Sequence, residues 1–195
     1  MKHLLRRLTV CMAFAGIVTA GGGQQDEPAA KLPEPEFSNV FFRLMDGKLI
    51  PLERQLATFH VHGGGFIVHD ISGVGEVTGP RSPVRFQHAD KFDLVVKCPA
   101  VLAAGDDPDT VYHLRVLDSK SHTREWLFAS GRAVGGIHAD VKSRLGEGLL
   151  PVKWSKYAGS SLSMTTGALP AGEYVVGQAQ QGQGRSLTVF CFGVD

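Results

Sequence analysis

The chain has 195 residues, 43% of them hydrophobic, with 20 Lys+Arg, 19 Asp+Glu and a formal net charge of +1. So balanced a charge gives no electrostatic reason to expect DNA, RNA or an anionic membrane as partner. With 24 Gly and 10 Pro breaking the apolar runs into short pieces, the composition suits a sandwich or barrel better than a helical bundle.

Lys2, Arg6 and Arg7 open the chain, and the apolar run Leu8 to Ala20 closes on the small residues Val18-Thr19-Ala20. That pattern reads as a secretory signal peptide over residues 1–20, too short for a spanning helix. It predicts export, to the periplasm or beyond the cell. Cys11 lies inside the apolar run, which continues past it, so lipidation is not expected. Taking Lys2, Arg6 and Arg7 from the 20 basic residues leaves 17 against 19 acidic ones, a net charge of −2 for the mature chain. No later apolar run approaches the length of a membrane span, so no transmembrane segment is expected in the mature chain.

Residues 21–36, with Gly21-Gly22-Gly23-Gln24-Gln25 and Pro33-Glu34-Pro35-Glu36, read as a flexible linker. Residues 37–195 read as one β-sandwich domain, with two packed halves, 37–105 and 109–195, as the alternative. Val40 to Leu44 reads as a buried strand, Asp46-Gly47 as a hairpin turn, and Pro51 as the mark of an edge or bend. Strands are expected at 57–62, 65–71, 83–87 and 92–98, followed by a loop at Gly105–Asp109. A second hairpin joins Val111–Leu117 to Thr123–Ala129, with Tyr112, Leu114 and Val116 alternating on one side. Asp140 to Leu145 is the one helical candidate, Asp140 and Arg144 being spaced for an ion pair. Strands resume at 149–154, 160–166, 172–178 and 186–194.

Near the end, Leu169-Pro170-Ala171-Gly172-Glu173-Tyr174 leads into Val175-Val176. A Leu, a Gly and then a Tyr at the start of the penultimate strand resemble the tyrosine corner of immunoglobulin-like sandwiches. Tyr174 and Gly172 are therefore structural candidates, and the fold class expected is all-β, an immunoglobulin-like β-sandwich. The segments Asp46-Gly47-Lys48-Leu49-Ile50-Pro51-Leu52-Glu53, Arg81-Ser82-Pro83-Val84-Arg85-Phe86, Gly172-Glu173-Tyr174 and Phe190-Cys191-Phe192-Gly193-Val194-Asp195 resemble uncharacterised exported bacterial β-sandwich proteins. The resemblance extends over most of the ordered region and implies an exported single module, with no activity attached.

Two cysteines survive removal of the leader. In an oxidising compartment a Cys98–Cys191 disulfide is the default expectation. It would stabilise by about 4 kcal/mol in the chain-entropy picture. Two unpaired thiols buried in a core are the alternative.

The sharpest chemical cluster is His60-Val61-His62-Gly63-Gly64-Gly65-Phe66-Ile67-Val68-His69. If Gly63-Gly64 is a two-residue turn, Phe59, Val61, Phe66 and Val68 share one face. His60, His62 and His69 then share the other, a candidate site for zinc or copper. The Gln-rich segment Gly177 to Arg185 is the second candidate, a loop position suited to recognition. Trp126, Trp154 and Tyr157 are candidate stacking platforms, and the alternation around both tryptophans favours core packing.

Catalytic patterns fail. Gly159-Ser160-Ser161-Leu162-Ser163 lacks the closing Gly of a nucleophile elbow. Gly73-Val74-Gly75 lacks the third Gly of a dinucleotide loop. Asp106, Asp107 and Asp109 lack calcium-loop spacing. No catalytic residue, no cofactor and no enzymatic activity are expected. The leading expectation is an exported non-catalytic binding or structural module of the bacterial envelope, its partner an unidentified protein or polar ligand. The alternative is a metal-binding envelope protein using the histidines.

Overall fold

The computed structural model describes residues 32–64, 68–98, 107–134, 138–144, 146–178 and 186–195. The leader expected at 1–20 lies outside them. Strand β1 (Phe41–Met45) meets β2 (Lys48–Pro51) through Asp46 and Gly47, at φ of 50° and 71°. Two successive positive φ values give the turn whose twist matches a hairpin, and glycine adopts its half without steric cost. A long hairpin of β3 (Glu53–Gly64) and β4 (Val68–Thr78) follows, then β5 (Arg85–Phe86) and β6 (Lys91–Lys97). The acidic loop ends in one helical turn, α1 (Pro108–Val111). Asp107 caps it by accepting from the Asp109 amide at 3.0 Å, with Pro108 in the first turn where no donor is missed.

Next come β7 (Tyr112–Ser119), β8 (Thr123–Val134) and β9 (His138–Ser143). The chain closes with β10 (Lys153–Lys156), β11 (Ser161–Gly167), β12 (Gly172–Gln178) and β13 (Ser186–Val194). The fold is all-β with two sheets packed against each other.

The smaller sheet runs β10-β11-β6-β1-β2, which leaves β2 as an edge and so accommodates Pro51. The larger runs β12-β7-β8-β4-β3-β13-β5, with β9 added on β8. Because β12 also pairs with β13, the strands β7, β8, β4, β3, β13 and β12 form a closed circuit. Pairings β3–β13 and β6–β11 join early strands to late ones, so residues 37–98 and 107–195 interleave in both sheets.

Two cores result. Between the sheets lie Phe41, Phe92, Leu94, Met164, Tyr174, Phe190 and Phe192 with their neighbours. Inside the curl of the larger sheet lie Ala57, Val77, Leu117, Val175, Val189 and Cys191. Strands β12 and β13 serve both, sending alternate side chains each way. They are buried on both faces, which is why their sequences read as nearly continuous apolar runs.

That geometry overturns the disulfide. Cys191 points into the curl beside Val189, whereas Cys98, just after β6, lies in the core between the sheets. Both are free, buried thiols. Burial pushes the Cys191 thiol up to about 12. The helical turn expected at 140–145 is also replaced, since β9 pairs with β8 from Ala129↔Ser143 to Val134↔His138. Arg144 pairs with Glu147 at 3.2 Å. A ladder of backbone hydrogen bonds along the exposed edge of β8 outweighs one i,i+4 charge pair worth a few tenths of a kcal/mol.

The long hairpins carry an aromatic row. Gly75 lies opposite both Phe59 and Trp126. A Cβ on Gly75 would fall 2.3 Å from the Trp126 ring, so the glycine lets the indole lie flat on the sheet. Trp126 meets Phe59 edge to face at 5.8 Å, so its ring packs rather than stands free. Trp154 likewise lies 5.9 Å from Tyr112 and donates its indole N–H to Asp109 Oδ1 at 2.7 Å.

Candidate functional site

The histidine hairpin has a different register from the one expected. His62 pairs with Ser72, Gly63 with Ile71 and Gly64 with Asp70, so β3 continues through both glycines. Val61 pairs with Gly73, not with Phe66, and is 73% exposed. The expected core partner Phe66 lies outside the described residues. His60 and His62 do share a face, their rings 6.0 Å apart, and His60 contacts Thr58 Oγ1 at 3.1 Å. The backbone of His69 pairs with Ala133, while its imidazole lies outside the described part. Among the described residues no three His, Cys, Asp or Glu side chains gather as a metal-binding set. Instead His62 begins a polar row, Ser72, Ser130 and Lys142, across β3, β4, β8 and β9.

A second cluster was not visible in the sequence. Arg124 is fully buried, and its guanidinium forks onto Glu53, Nη1 to Oε2 at 2.9 Å and Nη2 to Oε1 at 3.2 Å. Its remaining donors reach Glu173 Oε2 at 3.4 Å and the carbonyls of Gly79 and Thr78 at 3.0 and 3.1 Å. All five N–H groups are thereby used. Glu173 also accepts from the Ser82 amide at 2.7 Å and from Arg85. Arg85 in turn grips the side chain of Asp195, with Nη2 to Oδ1 at 2.6 Å, which holds the residue following β13.

Burial alone would raise the Glu53 carboxyl. Hydrogen bonds from Arg124, Gln55 and Ser82, with the Arg124 charge, outweigh it and hold the group below its ordinary value. A Cβ on Gly193 would strike Arg85 Nη1 at 2.1 Å, so this cluster sets the glycine in the last strand. Every group here is spent on another, which makes the cluster an internal strut.

The third feature is open. A cleft of about 670 Å³ lies beside the ends of β3, β12 and β13. Its floor is aromatic: Phe41 meets Tyr112 edge to face at 5.2 Å and Phe190 at 5.8 Å. Phe37 and Leu56 border it while 62% and 59% exposed, large apolar surfaces left in water. Arg54, two residues before Leu56 on the same face of β3, supplies a charge. Gln178 and Ser186, where β12 ends and β13 begins, also line it. The Gln-rich segment singled out in the sequence thus starts at this cleft, although Ala179 to Arg185 lie outside the described residues.

Leu56 had a legible signal. Arg54, Thr58, His60 and His62 make the outward face of β3 polar, and Leu56 is the one apolar exception.

The cleft's remaining wall is a strap. Pro35 is buried and Glu34 accepts from the Ser160 amide at 3.2 Å and from Ser161 Oγ at 3.0 Å, so Glu34 and Pro35, at the end of the stretch read as a linker, are tied down. Asn39 then donates its amide to Lys97 O at 2.9 Å and accepts from the Tyr112 phenol. The Ser161 and Ser160 hydrogen bonds hold the Glu34 carboxyl below its usual range. Being lower folded than unfolded, its contribution is full above the unfolded value of about 4.5 and is lost as pH falls through the folded one. Protection of the Ser160 amide against hydrogen exchange should therefore fall on acidification below about pH 4.5 and be largely absent in Glu34→Gln at any pH. Equal protection in the two proteins at pH 7 would show that the strap is held by other contacts.

Tyr174 donates its phenol to Pro170 O at 2.5 Å, four residues back, the contact expected of it. Gly172 is under less constraint: a Cβ there would lie 3.7 Å from the Tyr174 hydroxyl, an ordinary contact. No described helix is long and apolar enough to cross a membrane. No protein-family model matches the chain, and comparison with curated proteins and with solved structures finds no match.

Proposed function

We propose that this protein is an exported, non-catalytic binding module of the bacterial envelope, and that its ligand site is the aromatic-floored cleft. The observation carrying this reading is the pair of large apolar side chains, Phe37 and Leu56, left more than half exposed on the two sides of one cavity. Leaving them in water forgoes burial worth about 1.5–3 kcal/mol each, which a bound partner would recover. The cavity volume lies in the range of small-molecule sites. Export rests on the cationic, apolar and small-residue leader, and a non-catalytic role on the internal commitment of the buried charges. For the fold's finer class, the Tyr174–Pro170 contact supports an immunoglobulin-like origin, and the closed circuit of the larger sheet weighs against it.

A photo-crosslinking residue at Leu56 tests the site. In envelope preparations it should give an adduct absent when the same group replaces Val116, an exposed apolar residue outside the cleft lining. Indistinguishable labelling from the two positions would remove the cleft as the binding surface.

A further inference from the structure

We propose that the cleft takes a long-chain monocarboxylate, its alkyl chain on the Phe41–Tyr112–Phe190 floor between Phe37 and Leu56 and its carboxylate on Arg54. The proposal rests on the reading of this cleft as the ligand site and adds the chemistry of the ligand. An apolar floor with exposed apolar walls selects a hydrocarbon body. Arg54 is the sole charged residue among those described in the lining. Among the described residues its guanidinium has no hydrogen-bond or ion-pair partner, whereas the buried Arg124 and its neighbour Arg85 are fully engaged.

Among the described residues, one unpaired cation at the side of an apolar cavity is complementary to an amphiphile bearing one negative charge. The planar fork of arginine fits a carboxylate through two parallel N–H···O bonds. A phosphate monoester carries about −1.5 to −2 at neutral pH, more than a lone guanidinium compensates. A carboxylate is matched one to one.

Calorimetry on the mature protein with decanoate, dodecanoate, dodecanol and dodecyl phosphate, all below micellar concentration, decides the matter. Dodecanoate should bind roughly two- to fourfold more tightly for each methylene it has beyond decanoate. Arg54→Ala should weaken dodecanoate about five- to tenfold while leaving dodecanol unchanged, and Arg54→Lys should recover part of the loss. Leu56→Asp should weaken both. Dodecanoate affinity indifferent to Arg54→Ala, or dodecyl phosphate binding more tightly than dodecanoate, would overturn the carboxylate assignment while leaving the cleft a ligand site. Failure of both dodecanoate and dodecanol to bind would overturn the proposal, and the Leu56 crosslink then decides separately whether the cleft binds anything.

Discussion

Arg124→Met should destabilise the protein by about 3–5 kcal/mol, because it strips the cation from two carboxylates and leaves both in the interior. Glu53 would keep Gln55, its donor at 2.6 Å, and Glu173 would keep Arg85 and the Ser82 amide. Neither set replaces a bidentate guanidinium. The carbonyls of Thr78 and Gly79 would lose their donors as well. For a domain of this size the loss amounts to a fall in melting temperature of roughly 10 °C.

Most of that penalty belongs to the stranded charges rather than to the lost attraction. The same substitution in a Glu53→Gln background should therefore cost well under half as much. The acid limb gives an independent check. Glu53 is held below its ordinary value in the folded state, so its contribution is complete above the unfolded value near 4.5 and disappears as pH falls through the lower folded one. Without Arg124 that dependence should flatten. Urea unfolding at pH 7 and pH 4 measures both effects. A loss below about 1 kcal/mol for Arg124→Met would mean the cluster is hydrated enough to do without its cation.

The sequence made the β class legible, because Gly and Pro punctuation and period-two apolar patterns are local signals. The Asp46-Gly47 turn and the Asp118–His122 hairpin follow from the same kind of information. What it concealed is the sharing of β12 and β13 between two cores. A strand buried on both faces has no polar side to reveal which neighbour each residue meets, so the parity that separates Cys191 from Cys98 could not be read. The histidine register failed for a related reason. Three consecutive glycines carry no side-chain pattern with which to choose a turn, and the apolar pairing invoked there was replaced by Phe59 opposite Gly75.

Of the cleft, only the Gln-rich segment beginning at Gly177 stood out in advance. Phe37 and the Arg54–Leu56 pair of β3 come from separate stretches that only tertiary packing brings together. Arg124 was hidden more deeply still. A charged residue next to a polar turn reads as solvated, and nothing local shows that Glu53 and Glu173 will be buried beside it.

Phe192→Ala tests whether the two sheets depend on one aromatic junction. The ring is fully buried, stacked on Phe92 of the opposite sheet at 6.0 Å and 20°, and on Tyr174 of its own sheet at 5.3 Å and 21°. Phe86 closes a third side at 6.0 Å. Truncation removes these contacts and opens a cavity that β13, paired on both edges, cannot close by moving. The expected cost is about 3–5 kcal/mol. Because either single mutant already removes the whole Phe92–Phe192 stacking contact, Phe192→Ala and Phe92→Ala should be non-additive by about 0.5–1.5 kcal/mol. Val77→Ala lies in the other core and should add to within about 0.5 kcal/mol. Strong coupling between Phe192 and Val77 would mean that the curl of the larger sheet and the space between the sheets respond as one packing unit, with β12 and β13 transmitting strain from one to the other.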